Sequence, residues 1–245
     1  MSETALAERW EREPALSVSA ARRWSSYARV TALGWVTLLA VLAGTGLLLT
    51  GPLADSALVR WDERLPEQWE RGRDAASSAW SHSGSTIGDT LTVIGIAVAV
   101  GIVLLVMKRW ASVLLLATAM LEEVSIFVAT TLLVARDRPD VAQMDVSPPT
   151  SSFPSGHTAA ATALALSVAL IVAWNVRSTA LKVAVWTLAL LIGPAVAVAR
   201  VYRGMHHPTD VAMGLLMGAA CVLLAWLAVS AWASEPDPRP TEENA

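Results

Sequence analysis

Long apolar stretches separated by short polar loops dominate the pattern of this chain. Six of them are long enough to cross about 30 Å of hydrocarbon as helices, at a rise of about 1.5 Å per residue. They run from Val30 to Leu49, Thr90 to Met107, Ala111 to Ala135, Thr158 to Trp174, Thr179 to Ala199 and Val211 to Trp232. The sequence therefore predicts an all-α, polytopic membrane bundle with six transmembrane helices.

The two ends of the chain are polar. An arm over residues 1–29 precedes the first apolar stretch, which is longer than the apolar region of a secretory signal peptide, so we expect it to be retained. The tail over residues 234–245 alternates prolines with acidic residues and is predicted to be disordered because it has too few apolar residues to pack. Residues 30–233 are predicted to form a single membrane domain.

The long loop between Gly51 and Asp89 has a pattern of its own. Leu58, Trp61, Leu65 and Trp69 recur at helical spacing opposite charged residues. This pattern predicts a short amphipathic helix in the membrane interface, which Pro66 could divide in two. A tether that covers the bundle without contacting substrate is the favoured interpretation.

Composition agrees with a membrane protein and excludes some partners. The 245 residues are 54% apolar and 16% charged, and the net charge of -3 is spread over loops of both signs. No basic run indicates nucleic acid. The single cysteine, Cys221, excludes an intramolecular disulfide and is predicted to pack inside the last span.

The flanking Lys and Arg residues predict the orientation. Ten fall on one side of the membrane and eight on the other, and four of those eight belong to the candidate site described below. Because positive residues are enriched in the cytoplasm, both termini are predicted to be cytoplasmic and the site extracytoplasmic.

A polar, glycine-containing stretch from Pro148 to Ala160 lies directly before the fourth span. Ser155 is placed to cap that helix, Gly156 lets the backbone come close to a ligand, and His157 is next to it. A helix start of this kind binds anions, because its first N–H groups are unpaired and the helix dipole is positive there. The alternative is an ordinary capped helix with a surface histidine.

Two further clusters lie at other span ends. Arg136 and Arg138 follow the third span in the sequence Arg-Asp-Arg-Pro, which alone reads as a stop signal with two arginines at the membrane surface. The fifth span ends in Arg200, and His206, His207 and Asp210 follow. The spacing of His206 and Asp210 would put both on one helix face, where the carboxylate could hold the imidazole. His207 is a rival.

Counting spans places all these clusters on one side of the membrane. Together they resemble the signature of the type 2 phosphatidic acid phosphatase (PAP2) superfamily, which also contains vanadium haloperoxidases. The pattern K-x6-R-P, P-S-G-H and S-R-x5-H-x3-D is matched by three groups of residues: Arg138-Pro139; Pro154-Ser155-Gly156-His157; Arg200, His206 and Asp210. Thr131 and Ala199 stand where the family has lysine and serine. Arg136 or Arg203 would have to replace the missing cation.

The resemblance implies a PAP2-type phosphatase that needs no metal or cofactor. His206 would attack phosphorus, Asp210 would fix its tautomer, and His157 would serve as acid and then base. Arg138, Arg200 and the N–H groups around Ser155 and Gly156 would bind the phosphate oxygens, with Arg136 as a further candidate. The implied substrate is a lipid phosphate or pyrophosphate, such as phosphatidic acid, phosphatidylglycerophosphate or a polyprenyl pyrophosphate.

Two other function classes compete with a phosphatase. A lipid-phosphate binder or transporter would keep the anion pocket without efficient chemistry. A haloperoxidase-like oxidase is disfavoured by the six spans and the missing lysine. Release of inorganic phosphate from lipid phosphates would distinguish these classes.

Adjacent acids, Glu122 and Glu123, lie near the middle of the third span. An ionised carboxylate there costs about 2.5 to 3.5 kcal/mol, so an idle pair facing lipid is not expected. Hydrogen bonding to Ser and Thr hydroxyls is the structural interpretation. The functional alternatives are a polar path below the site and a contact with a second protomer in a homodimer.

Overall fold

A computed structural model describes residues 3–147 and 149–234, with side chains from residue 21 onwards. Regular structure in these residues is helical throughout. The eight helices are α1 (Glu3–Thr50), α2 (Ala57–Arg71), α3 (Ala75–Ile87), α4 (Thr90–Val106), α5 (Trp110–Leu133), α6 (Gly156–Asn175), α7 (Thr179–Tyr202) and α8 (Pro208–Ser234).

Five of the described helices are long and apolar enough to cross a membrane, and the α3–α4 pair, bent by 45°, raises the number to six if it forms one span. Each of the six predicted apolar stretches lies in a different helix, so the prediction of an all-α membrane bundle is confirmed. Leu33, Leu91 and Val106 are 69%, 80% and 77% exposed. Such side chains suit a hydrocarbon surrounding, where the helix satisfies its own backbone.

The N-terminal arm continues the first span without a break, since α1 begins at Glu3. The predicted disordered tail lies outside the described residues, except for Ser234, which ends α8.

Helix α6 is the centre of the bundle and packs against α5, α7 and α8. Its approach to α8 depends on small residues. A Cβ atom added to Gly218 would lie 2.4 Å from the carbonyl oxygen of Ala159, and one added to Gly214 would lie 2.6 Å from that of Ser155. Small residues four apart allow two membrane helices to approach closely, which fixes the start of α8 against the start of α6.

The loop between the first two spans contains two helices, of which the sequence predicted one. Pro66 does not divide α2, which is continuous from Ala57 to Arg71. Its orientation also differs from the amphipathic pattern, because Leu58 and Trp61 are about half exposed while Val59 and Asp62 are buried. Helix α3 packs mainly on α7 and leads directly into α4.

Candidate active site

The ends of four helices meet around one cavity of about 530 Å³. Its polar end is lined by Arg138 after α5, Gly156 and His157 at the start of α6, Arg200 near the end of α7, and His206 before α8. From there the cavity continues between α4 and α5 along apolar side chains. Side chains up to 68 residues apart in sequence are thus brought together where a polar headgroup could meet an apolar chain.

His206 is held by a backbone carbonyl rather than by a carboxylate. Its Nδ1 lies 2.8 Å from the carbonyl oxygen of Ser152, an acceptor, so Nδ1 carries the proton and Nε2 keeps its lone pair. The nearest oxygen of Asp210 is 3.8 Å from Nδ1. Burial lowers the pKa of His206 to about 4, so the ring is neutral at pH 7.

The prediction that His206 and Asp210 share one helix face is therefore wrong, although the two side chains do lie 3.8 Å apart. Helix α8 begins at Pro208, so His206 lies before the helix and the spacing of four does not place it on the same face. Asp210 instead accepts hydrogen bonds from the backbone N–H of His207 at 2.9 Å and from its Nδ1 at 3.2 Å. By accepting the hydrogen bond from the His207 N–H, Asp210 in the first turn of α8 caps its own helix.

Asp210 also joins two other segments to this helix start. Its Oδ2 accepts a hydrogen bond from the Ser152 hydroxyl at 2.5 Å, and its Oδ1 accepts one from Arg136. Ser152 consequently links the two groups, because its hydroxyl binds Asp210 while its carbonyl orients His206. The carboxylate positions the histidine through Ser152.

Two guanidinium groups line the cavity. Arg138 donates to the carbonyl of Met205 at 2.6 Å, and Arg200 donates to Ser85 and Asp145, each at 2.8 Å. The Nε atoms of both arginines are buried without a hydrogen-bond partner among the described residues. Burial lowers the pKa of Arg138, opposed by the charge of Asp210, but a guanidinium remains charged at neutral pH. Both can therefore supply positive charge and donors to an anion.

His157 also lines this cavity. A second, polar cavity of about 430 Å³ also reaches His157 and Arg200 and is lined by Asp89 and Asp145. The Nε2 atom of His157 lies 4.0 Å from Oδ1 of Asp89, so a carboxylate stands beside the ring in this second cavity.

Asp145 bridges two arginines at the rim. It contacts Arg200 at 2.8 Å and Arg203 at 2.6 Å. Burial alone would raise the pKa of Asp145, but the hydrogen bond from Arg203 and the two positive charges hold this pKa below its usual value. Because Asp145 stays ionised, it fixes the guanidinium of Arg200 at the cavity wall.

Comparisons with known proteins agree with this arrangement. The family model of the PAP2 superfamily matches residues 110–234, just over half of the chain. The chain belongs to the PAP2 superfamily. The matched segment runs from the start of α5 to the end of α8 and contains Arg138, His157, Arg200 and His206.

A phosphatase from two strains of one bacterium is similar in sequence to part of this PAP2 chain. The decaprenylphosphoryl-5-phosphoribose phosphatase of Mycobacterium tuberculosis, strains H37Rv and CDC 1551, is 37% identical over 90 residues. The match covers 36% of this chain and 44% of the relative, so the chain spans less than half the length of the curated relatives it matches.

Two crystal structures share the fold of this PAP2 protein. The transmembrane PAP2-type phosphatidylglycerolphosphate phosphatase from Bacillus subtilis has a TM-score of 0.67 and 23% identity, over 77% of this chain and 94% of that chain. The LpxE protein of Aquifex aeolicus has a TM-score of 0.52 and 22% identity, over 66% of this chain and 93% of that chain. The predictions of a PAP2 fold and of a multi-pass membrane protein of this family are confirmed.

Two residues expected to bind phosphate are held elsewhere in this PAP2 site. The guanidinium of Arg136 is buried between Asp62, at 2.6 Å, and Asp210, because α5 ends at Leu133 and the following loop turns inward. Ser155 is fully buried, with its N–H on the carbonyl of Asp210 and its hydroxyl on Thr158. It occupies the N-cap position of α6 without capping it by its side chain.

The cation of the missing family lysine is not replaced by either expected arginine. Arg136 is paired as described, and Arg203 binds Asp145, Ser81 and the carbonyl of Met144. Thr131 bonds its own helix at Val128. Among the residues that line the main cavity, Arg138 and Arg200 are the cationic side chains.

Three residues that organise this PAP2 site had no recognisable signal in the chain. Asp62 comes from the predicted polar face of α2, and Ser152 and Asp145 lie in an irregular loop. A buried partner for Arg136 and Arg203 was foreseeable from the cost of burying an arginine alone. No spacing rule identifies which acid supplies it.

Proposed function

We propose that this membrane protein hydrolyses the terminal phosphomonoester or pyrophosphate of a lipid through a phosphohistidine intermediate. One observation carries the proposal. Two arginines and two histidines line the polar end of a cavity whose other end is an apolar groove between membrane helices. A phosphate headgroup and its hydrocarbon chain need this combination.

His206 is the proposed nucleophile. Its Nδ1–H is engaged with Ser152, so the lone pair of Nε2 is available to form the bond to phosphorus. Arg138 and Arg200 would hold the non-bridging oxygens, whose negative charge must be stabilised in the transition state. The N–H of Gly156, at the start of α6, would add the donor and dipole of a helix N-terminus.

His157 is the proposed acid and base. As His206 bonds to phosphorus, the bond from phosphorus to the leaving oxygen breaks and His157 donates its proton to that oxygen. Water then attacks the phosphohistidine, His157 takes the proton of the water, and the bond between phosphorus and Nε2 breaks. Phosphate is released and both rings return to their starting states.

The groove between α4 and α5 favours a substrate with a long apolar chain. The cavity is lined by Ile94 and Val98 of α4 and by Leu121 and Val124 of α5. These side chains are between 49% and 66% exposed, so this wall opens towards lipid. A chain could therefore remain in the bilayer while its phosphate reaches the arginines. By name, the Mycobacterium tuberculosis relative is a decaprenylphosphoryl-5-phosphoribose phosphatase and the Bacillus subtilis protein is a phosphatidylglycerolphosphate phosphatase. These two names support the same substrate class here.

The test is phosphate release by the purified protein in detergent with EDTA present. Phosphatidic acid and a polyprenyl pyrophosphate are offered separately, and inorganic phosphate is measured together with acid-labile phosphate bound to the protein. Turnover with a labelled His206 supports the proposal. Binding of the lipids without phosphate release would favour the lipid binder or transporter, and activity lost on adding EDTA would contradict a metal-independent mechanism.

A further inference from the structure

The third-span acids differ in what they face. Glu123 is 4% exposed and lines the main cavity, below the arginines and histidines. Glu122 is 3% exposed, but it is not among the cavity-lining residues. Neighbouring positions on a helix point about 100° apart, so only one of the two acids can face this cavity.

Neither acid forms a hydrogen bond or ion pair through its carboxyl group with another described residue. Both oxygens of Glu122 are fully buried without a partner, whereas Glu123 is the acid that lines the cavity. The expected bonding to Ser or Thr hydroxyls is absent there, because the Ser125 hydroxyl donates to the backbone carbonyl of Glu122. A nine-tenths buried polar group without a protein partner is costly unless a ligand satisfies it.

The surroundings of Glu123 within the cavity are apolar. Val93, Ala97, Met120 and Val124 line the same region, and the two arginines lie at the other end. A carboxyl group in such a place is least costly as the uncharged acid, which can both donate and accept a hydrogen bond. It therefore suits an uncharged oxygen of a ligand better than a second phosphate.

The distance from the phosphate end can be read along α5. The ring of Phe127 packs against Gly156, where an added Cβ atom would be only 2.9 Å from a ring carbon. Glu123 precedes Phe127 by four residues, which is slightly more than one turn, or about 6 Å along the helix. A ligand whose phosphate sits near Gly156 would thus bring the atoms just beyond that phosphate towards Glu123.

We propose that Glu123 binds a hydroxyl or ester oxygen in the unit that follows the phosphate, and so selects lipid phosphates built on a glycerol or sugar unit. This subsite rests on the proposed function. A lipid whose phosphate is attached directly to a hydrocarbon chain presents only methylene groups to Glu123 and leaves it unpaired. Sites built to bind a substrate oxygen discriminate strongly against analogues that lack it, because the buried group is left without a partner.

The test compares three substrates of matched chain length in the same detergent. They are dodecyl phosphate, a phosphatidic acid with twelve-carbon acyl chains, and a dodecyl glycoside phosphorylated on its sugar. For the parent protein we expect kcat/KM to be at least about tenfold higher for the second or third than for the first. The glycerol and sugar lipids separate the two possible sources of the oxygen.

The variants are Glu123→Leu, Glu123→Met and Glu123→Gln, with Glu122→Gln as the matched control on the neighbouring position. The apolar replacements should bring the ratio close to one by lowering kcat/KM for the oxygen-bearing lipid only. Glu123→Gln should keep most of the ratio because the amide still donates and accepts, and Glu122→Gln should leave it unchanged. A parent without preference, a ratio that survives in both apolar variants, or an equal loss for all three lipids would overturn the proposal.

Failure of the proposed function is distinguishable from failure of the subsite. If the parent releases no phosphate from any of the three lipids, hydrolysis is disproved, and the Kd values of the same lipids then decide the subsite. A tenfold preference in Kd that disappears in Glu123→Leu supports it, and equal Kd values contradict it.

Discussion

At the scale of single residues, neighbouring positions in the chain have opposite roles. Arg138 lines the cavity, whereas Arg136 is enclosed by Asp62 and Asp210. His206 lines the cavity as well, whereas His207 is turned towards Asp210. The members of each pair have the same residue type, so access to the cavity distinguishes them. The residues that reach the cavity are proposed to act on substrate, and the others bind Asp210 and stabilise the loops.

The two histidines provide the first prediction. His206→Ala should abolish both turnover and the acid-labile phosphoprotein, because it removes the only proposed nitrogen nucleophile. His207→Ala should fold and retain substantial activity, since its ring contacts Asp210 and not the cavity. Phosphate release and phosphoprotein formation measure both effects. An inactive His207→Ala beside an active His206→Ala would reverse the assignment.

The second prediction concerns pH. Burial lowers the pKa of His206 to about 4, so Nε2 carries a lone pair above that pH and a proton below it. The acid limb of kcat/KM should therefore lie near pH 4 rather than near the ordinary value of about 6.5. The phosphate of the substrate also ionises near pH 6, so its titration is measured in the same micelles by 31P NMR and divided out.

Acid unfolding must be separated from this titration. Protein held at pH 4 and returned to pH 7 should recover its activity in full. A corrected acid limb near pH 6.5 would show that the free imidazole of His206 is not shifted, which contradicts the buried arrangement described here.

At the scale of elements, α2 acts as a clamp on the site. Its Asp62 is fully buried and accepts hydrogen bonds from Arg136, at 2.6 Å, and from the backbone N–H of Thr209, at 2.8 Å. The second contact satisfies one of the free N–H groups at the start of α8. The amphipathic loop helix is thus tied to the two segments that carry Arg138 and His206.

The clamp can be tested by substitution. Asp62→Ala should lower the free energy of unfolding by at most about 3 to 5 kcal/mol, the cost of leaving a buried charge unpaired. The loss is no larger because the buried Arg136 keeps its second carboxylate partner, Asp210. The matched control is Glu67→Ala on the same helix. The Glu67 carboxylate lies 3.7 Å from the guanidinium of Arg71, and this ion pair is on the surface. Such a surface pair contributes at most about 1 kcal/mol. Thermal unfolding in detergent should show a lower Tm for Asp62→Ala and little change for Glu67→Ala. Equal Tm values would contradict the clamp.

At the scale of the whole molecule, the number of spans predicts on which side of the membrane the site lies. The segments after α5, before α6, after α7 and before α8 line one cavity, as alternate crossings require. If all six spans cross, we expect the start of α1 and the end of α8 on the opposite side of the membrane. The excess of Lys and Arg on the terminal side favours a cytoplasmic location for it.

The orientation is tested by labelling intact cells. A cysteine is introduced at Thr150, which is exposed beside the cavity, in a Cys221→Ala background. An impermeant thiol reagent added outside should label this variant without lysis. A cysteine at Lys108, in the exposed turn between α4 and α5, is the matched control and should react only after lysis. The reverse result would place the site in the cytoplasm.

The sequence by itself determined the membrane helices and the family. Runs of apolar residues long enough for a bilayer leave a chain few alternatives to helices, and α4 to α8 match the predicted stretches to within a few residues. The groups around Arg138, His157, Arg200 and His206 were predicted to meet because span parity puts their ends in one layer. Local pattern and parity are both properties of the linear chain.

Only the tertiary structure decided which side chains reach the cavity. The sequence offered Arg136 and Arg203 as replacements for the missing lysine, but buried acids from distant segments, Asp62 and Asp145, bind them instead. It placed His206 and Asp210 on one helix face, but Pro208 starts α8 after the histidine. The Nδ1 atom of His206 lies 2.8 Å from the carbonyl oxygen of Ser152 and 3.8 Å from Asp210. A buried charge binds whichever partner the packing of distant segments brings to it, and spacing along the chain does not contain that information.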